Sequence, residues 1–426
     1  MRGVFPACFR KILSYGFPGI AGVPIKNIEE TAEEMRIYLE TPVSFQICPV
    51  CHKKTKNVHD YRRQRIRDLA VNNKPSVLIL RKRRYHCPYC GKNFYERQGF
   101  LPRYAYRTKR VTAPVIRSLE EKVSCKETAR CRSLSSSTVL RLSECRNISH
   151  GDTLPEVLGI DEFKGNAGGE KYQCILTDIE NRYIVDILPG RRKYRMMKYL
   201  REYPEEERRK VKYLVCDMWA DYRALACLFP NAPMIADKYR RVRQVSWALD
   251  RVRKRVQKEF SDNKRLRFKR NKWIRATGYR NLSTDDRLVL QTMLNQSTDL
   301  YNAWILKEMV YKFVDCATVE DAREQLISFF LYAEEPGTEE FEDCIKACRN
   351  RSTEILHSIQ FVYTNAFTEG MNNNSKVLKR IACGCRNQIH FRARILSFCG
   401  KKTRPETQTP QAGNLRISDI FIKISC

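Results

Sequence analysis

The sequence predicts an α/β protein: a mixed-sheet core carrying an all-helical insertion, preceded by a small zinc-ribbon-like domain and a helix-turn-helix. Three observations predict it. Two C-x2-C pairs stand at Cys48–Cys51 and Cys87–Cys90. Short apolar runs before Asp161, Asp217 and Asp237 each finish on an aspartate. From about 238 to 360 the pattern is helical throughout. At 426 residues the chain exceeds one average domain.

Charge narrows the partners. Lys+Arg 79 against Asp+Glu 48 gives a net charge of +31, which argues against a small-molecule enzyme with a neutral surface and for a polyanionic partner. The excess is blocky. Residues 61–110 hold 15 Lys/Arg and 2 acids, residues 238–280 hold 17 and 3, and residues 376–404 add nine basic residues with no acid. Residues 301–350 carry 11 acids against five bases. Blocks of one sign repel themselves unless phosphates neutralise them, so contact with nucleic acid is expected from at least two of them. No apolar run is long enough to span a membrane, and residues 1–19 lack a sustained apolar h-region. The 18 cysteines are scattered, which suits reduced thiols, so a cytoplasmic protein without a membrane partner is expected.

Residues 1–105 form the expected zinc-binding domain. Cys48, Cys51, Cys87 and Cys90 make two knuckles suited to a tetrahedral structural Zn²⁺, and Gly91 closes the second. The spacer includes an extended run, Ser76 to Leu80. Residues 106–150 read as the helix-turn-helix: Val111 to Val123, then Lys126 to Arg132 with Ala129 at the crossing, a turn at Ser133-Leu134-Ser135, and Ser136 to Cys145. The last helix buries Val139, Leu140 and Leu142 and turns Ser136, Ser137, Thr138 and Arg141 to the DNA major groove. Ser133 stands where such a turn often has glycine.

Residues 151–245 change texture. Strands are expected at Val157 to Ile160, Tyr172 to Thr177, Tyr183 to Leu188, Tyr213 to Cys216 and Pro233 to Ala236, with a helix over Arg192 to Tyr203. Three hairpin-connected strands, a helix, a buried strand, a helix and another strand is the order of an RNase H-like fold. Strands finishing on Asp161, Asp217 and Asp237 set carboxylates along one sheet edge, where ligands bind in open α/β sheets. Gly168-Gly169 reads as a hairpin turn, since no helix start follows. Residues 246–360 are the helical insertion, first basic (Arg251, Arg253, Lys254, Arg255, expected on DNA or the partner subunit), then acidic. Residues 361–400 return to the core with a helix over the latter half of Thr364 to Leu378, and 401–426 form a tail.

Asp161, Asp217 and Glu369 are the candidate catalytic carboxylates. Two-metal phosphodiester chemistry needs carboxylates that flank Mg²⁺ (or Mn²⁺), two ions per site, and these ions keep several waters. Seven residues separate Glu369 and Lys376, which sets Lys376 on the same helix face as Glu369, Asn372 and Asn373 and near a scissile phosphate. On the residues alone, a lone Asp at a strand end is more often a cap or a surface acid. Trp219 and Trp247 read as core packing in preference to base stacking.

The ordered motifs extend further. They run through CPVC and CPYCG, the helix-turn-helix, Gly159-Ile160-Asp161-Glu162-Phe163, Pro189-Gly190-Arg191, Cys216-Asp217-Met218-Trp219-Ala220-Asp221-Tyr222, Phe229-Pro230-Asn231-Ala232 to Asp237, Thr368-Glu369-Gly370 to Lys376, Lys379-Arg380, and Gly384-Cys385-Arg386-Asn387 before Phe391-Arg392. In these the chain resembles the DDE transposases of the ISL3 insertion-sequence family, to about residue 398. The resemblance implies an RNase H-like core with a helical insertion between Asp217 and Glu369. It also implies an N-terminal unit that binds terminal inverted repeats, and cleavage and strand transfer of double-stranded DNA. Lys379 and Arg380 join the expected DNA contacts, and a bacterial, nucleoid-associated protein acting as a homodimer or larger assembly on DNA is expected. One position departs: Asp237-Lys238-Tyr239-Arg240 stands where relatives usually read Asp-[Arg/Lys]-Phe-His. A nuclease that cuts without joining, or an inert DNA-binding regulator, are the competing readings.

Overall fold

The computed structural model describes residues 23–71, 74–101, 105–144, 151–217 and 219–401; the expected tail and the end of the helix reaching Cys145 lie outside them. Alternating apolar residues build the first module from β1 (Ile25–Glu30), β2 (Met35–Leu39), β3 (Gln46–Ile47), β4 (Lys54–Thr55), β5 (Val58–Val71), β6 (Lys74–His86) and β7 (Asn93–Tyr95). One sheet has the order β1-β2-β6-β5 with β7 also on β6, and β3 pairs β4 separately. Ile37, Leu39, Ile66, Leu78 and Leu80 fill its core. The expected strand Ser76 to Leu80 continues through a basic run because Arg83 is buried there with acids: it reaches Glu40 at 3.2 Å and Glu96 at 3.4 Å.

Three short helices follow, α1 (Thr112–Leu119), α2 (Cys125–Cys131) and α3 (Ser136–Glu144). They bury Val115, Leu119, Ala129, Val139 and Leu142 together. Ser124 Oγ accepts the Glu127 N–H at 3.0 Å and caps α2. Ser133 takes φ 50° between α2 and α3, the left-handed conformation that glycine adopts more readily. The first helix stops at Leu119, short of the expected Val123. Its exit carbonyls turn instead to a buried guanidinium: Arg394 donates to Glu121 O at 2.7 Å and to the carbonyls of Leu119 and Val123.

The second sheet holds β8 (Val157–Ala167), β9 (Glu170–Asp178), β10 (Tyr183–Leu188), β11 (Tyr213–Cys216) and β12 (Met234–Ala236), in the order β10-β9-β8-β11-β12. Helices α4 (Lys193–Arg201) and α5 (Glu205–Arg209) lead into β11, and α6 (Ala220–Arg223) follows it. The pairs β10–β9 and β9–β8 are antiparallel, and β11 lies parallel to both β8 and β12. Gly168 and Gly169 close the β8–β9 hairpin with φ of 61° and 77°, a two-residue turn that needs both angles positive.

A helical region comprises α7 (Lys238–Val256), α8 (Asp262–Arg270), α9 (Lys272–Ala276), α10 (Thr284–Leu294), α11 (Thr298–Val314), α12 (Val319–Tyr332), α13 (Glu342–Asn350) and α14 (Ser352–Gln360). They share one apolar core that includes Val245, Leu249, Leu306, Phe329 and Phe341. Helix α7 runs unbroken through the boundary expected at 245–246, so the insertion grows directly out of the sheet edge. The chain then returns as α15 (Ala366–Ile381) and α16 (Gln388–Cys399).

Both faces of the second sheet are covered. Leu158, Ile160, Leu176 and Leu214 pack under α4, and Phe163, Ile175 and Ile187 pack under α15 and α16 through Leu378, Phe391 and Ile395. Helix α15 lies along β8. Gly159 meets Thr368, Asp161 meets Asn372, and Phe163 shares a cluster with Leu378. From the first contact to the second, four helical residues and two strand residues each advance about 6 Å, so those two contacts stay in step. At Gly159 the approach is closest: a Cβ there would stand 2.3 Å from Thr177 Oγ1 and 2.7 Å from Thr368 Oγ1. Gly159→Ala is therefore expected to lower stability by about 1–3 kcal/mol through overpacking. Gly370→Ala, where a Cβ meets nothing within 4 Å, should raise it by up to about 1 kcal/mol. Thermal melting of the two variants should move in opposite directions.

Candidate active site and metal centre

The two cysteine knuckles are built alike. Cys48 N–H donates to Lys53 O and Cys87 N–H to Lys92 O, both at 3.0 Å, and each loop returns through a left-handed residue, His52 at φ 58° and Gly91 at φ 72°. Antiparallel pairing of β3 with β4 closes the first knuckle and of β6 with β7 the second, and Thr55 Oγ1 donates from one to His86 O of the other at 3.0 Å. The four sulfurs lie within 4.8 Å of one another, with Cys48–Cys90 at 3.5 Å and Cys51–Cys87 at 3.4 Å. A tetrahedral Zn²⁺ with Zn–S of about 2.3 Å spaces its sulfurs at about 3.8 Å, so the set fits that ion. Burial works against the Cys48 thiolate, but the N–H groups of Cys51 and Val50 outweigh it and bring the thiol down to about 6.

In the second sheet, register aligns the carboxylates. The last parallel pairs are Ile160 with Cys216 and Cys216 with Ala236, so Asp161, Asp217 and Asp237 follow at one level. Asp161 does not end its strand as expected. β8 continues to Ala167 because β9 goes on pairing with it where β11 has stopped. Asp161 and Asp217 are 7% and 1% exposed, and their oxygens lie within 4.8 Å of each other and of Glu162.

Each carboxylate is held. Asp161 accepts from Glu162 N–H and from Asn372 Nδ2, both at 2.8 Å. Glu162 accepts from Arg191 at 2.9 Å and from the Tyr222 hydroxyl at 2.6 Å. Asp217 is ion-paired with Arg240. Asn372 Oδ1 is buried without a hydrogen-bond partner among the described residues, and an orphaned oxygen beside clustered carboxylates fits a hard cation. Burial pushes Asp161 up to about 7. The Glu162 N–H works against this, the charge of Glu162 adds to it, Arg240 opposes, and Glu369 adds.

Glu369 sits in the first turn of α15, exposed, within electrostatic reach of Asp161 but outside the three-carboxylate cluster. Its helix face is divided: Glu369, Asn373 and Lys376 are exposed, whereas Asn372 turns to the sheet. Lys379 donates to Asn166 O at 3.0 Å, and Arg380 is exposed. Glu162 and Arg240 are the members of the site that sequence reasoning did not assign to it. The alternation of β8 aims Glu162 away from Asp161's face, and Arg240 registered only as a departure from a motif.

Among the expected DNA contacts, Ser136, Ser137 and Arg141 on α3 are exposed and Thr138 is half-buried. The insertion cluster is differently disposed. Arg253 is buried against Asp250, Lys254 reaches Asp250 at 3.1 Å, Arg251 donates to Glu340 O at 2.5 Å, and Arg255 pairs with Asp299 at 2.5 Å and Glu340 at 2.8 Å. On the next helix, α8, Arg265, Arg267, Lys269 and Arg270 are exposed and make no ion pair among the described residues. Trp219 packs on Tyr222 with ring centroids 5.2 Å apart, whereas Trp247, expected in the core, is exposed.

Residues 158–395 match the ISL3 DDE family described as Transposase. Residues 44–90 match the zinc-finger of transposase IS204/IS1001/IS1096/IS1165. Because the first match spans more than half of the chain, the protein belongs to the ISL3 family of insertion-sequence transposases. The chain is similar to the transposase for insertion sequence element IS1001 of Bordetella parapertussis, at 24% identity over 388 residues, 89% of this chain and 95% of that protein. No described helix is long and apolar enough to cross a membrane.

Two outcomes follow. Cys87→Ser should reduce bound zinc from one ion per chain to a small fraction, measured by elemental analysis, and lower the melting temperature. With its folded value near 7 against an ordinary 3.8, Asp161 contributes stability that is full below the ordinary value and lost as pH climbs through 7. Asp161→Asn lacks this loss, so without added Mg²⁺ or Mn²⁺ its melting temperature relative to wild type should rise between about pH 5 and pH 8.

Proposed function

We propose that this transposase cuts DNA at the terminal inverted repeats of its element and joins the freed 3′ ends to target DNA, using Asp161, Asp217 and Glu369 as the metal-binding carboxylates of an RNase H-like core. The observation that carries this reading is the alignment of Asp161 and Asp217 directly past the last parallel pair, Ile160 with Cys216, with Asn372 tying the helix of Glu369 to Asp161. The order β10-β9-β8-β11-β12, three strands antiparallel and two parallel, supports the fold assignment. When bound, Mg²⁺ or Mn²⁺, two ions per site, supplies Lewis acidity to the scissile phosphate and activates the attacking oxygen.

The chain's own residues do the rest. Asp161 and Asp217 present buried oxygens in a setting where water screens little, which strengthens their hold on a cation. Asn372 fixes the Asp161 carboxylate, and Arg191 and Tyr222 fix Glu162. Exposed Lys376 and Arg380 lie along α15 on the side of Glu369, where they meet the DNA backbone. Helix α3, with Ser136, Ser137, Thr138 and Arg141, serves as the recognition helix of a helix-turn-helix in the major groove. Holding two element ends calls for a homodimer or larger assembly on DNA.

Labelled DNA carrying the element's ends, incubated with and without Mg²⁺, tests the reading. Wild type should cut at the ends and yield strand-transfer products only with the metal, and Glu369→Gln should reduce both by at least about a hundredfold. Cleavage without joining would identify a nuclease. Tight binding with no cleavage under any metal would sink the catalytic reading and leave a DNA-binding regulator, the alternative that the Arg240–Asp217 pair favours.

A further inference from the structure

Arg240 lies in the first turn of α7, immediately beyond β12 and Asp237. Its guanidinium is ion-paired with Asp217 and stands within electrostatic reach of Glu162, Asp161 and Glu369. It thus acts on the three clustered carboxylates and on Glu369, whereas Asp237, level with them in register, lies outside the cluster and within electrostatic reach of Arg241. The Asp217 side chain is 1% exposed and that of Arg240 33%, so the arginine reaches a buried anion from an open side of the site. A guanidinium does not give up its proton in proteins, so this charge is permanent.

Asp161, Glu162, Asp217 and Glu369 supply four negative charges when ionised. Arg191, 2.9 Å from Glu162, and Arg240 supply two positive charges. The two negative charges left over match one divalent cation, and a second would enter a centre already neutral while competing with a guanidinium for Asp217.

We propose that Arg240 holds the place of one cation, so that the DNA-free centre takes up a single divalent ion and a second enters only after Arg240 leaves Asp217. The inference rests on the reading of the carboxylates as a metal centre. Incoming DNA provides the exchange partner, because a phosphate offers the guanidinium paired acceptors in place of the carboxylate. Arg240 then swings from a metal ligand to the substrate and couples metal loading to the presence of DNA.

Mn²⁺ binding to the full-length, zinc-loaded, DNA-free protein, followed by the electron paramagnetic resonance signal of free Mn²⁺, tests this without reference to cleavage. Wild type should bind one Mn²⁺. Arg240→Gln, neutral and similar in reach, should bind two, with the first at least about tenfold tighter. Arg240→Lys, which keeps the charge, should behave as wild type. Circular dichroism melts establish that each variant is folded. Two ions in wild type, or unchanged number and affinity in a folded Arg240→Gln, would overturn the role of Arg240. So would a Lys variant that behaves like the Gln variant. Asp217→Asn separates the two levels. If it leaves wild-type Mn²⁺ binding untouched, the metal-centre reading falls. If it abolishes binding while Arg240→Gln changes nothing, only the inference about Arg240 falls.

Discussion

The closeness with which α15 lies over β8 governs the geometry of the site. Glycine at 159 lets the helix approach until Thr177 and Thr368 share a buried hydrogen bond of 2.8 Å. From that contact the helix and strand advance in step, and Asn372 arrives at Asp161 one helical turn later. A larger side chain at 159 would lift the helix and carry Asn372 and Glu369 with it. Sheet register sets Asp161 beside Asp217, and this packing, more than any one hydrogen bond, sets where Glu369 stands relative to them.

Charge is the second constraint. Blocks of one sign along the sequence look like a demand for phosphate, yet part of that demand is met inside the fold. The acidic stretch 301–350 supplies Glu340, which takes up Arg255 together with Asp299. Arg83 is likewise satisfied by Glu40 and Glu96 within the first module. The basic residues of α8 and the exposed face of α15 remain without such neighbours and add to the positive surface. The electrostatic footprint therefore differs from the one that counting along the chain suggests.

Much of the second sheet was legible because its strands are short apolar runs with aspartates directly behind them, and a parallel register sets such aspartates level. The Gly168-Gly169 turn was legible for a local reason, since paired glycines with no helix start behind them suit a tight hairpin between strands. The continuation of β8 was hidden because Glu162, Lys164 and Asn166 look polar, although alternate residues Phe163 and Ala167 are buried. The pairing of Arg255 was hidden because its partners stand 44 and 85 positions away. The presence of Arg240 in the site was hidden for the same reason: only folding brings the start of α7 beside the end of β11. Local chemistry was readable, and long-range compensation was not.

Arg394 gives the molecule a fixed geometry at larger scale. One buried guanidinium gathers three carbonyls at the exit of α1, while its own helix, α16, packs against β10 and α15. The three-helix unit is thereby bolted to the wall that also carries Glu369. A loosely tethered reading head would let the cut wander along the duplex. On the function proposed above, a bolted one works as a caliper: the offset between the base pairs the three helices would grip and the phosphate the carboxylates would receive is built into the protein as a length.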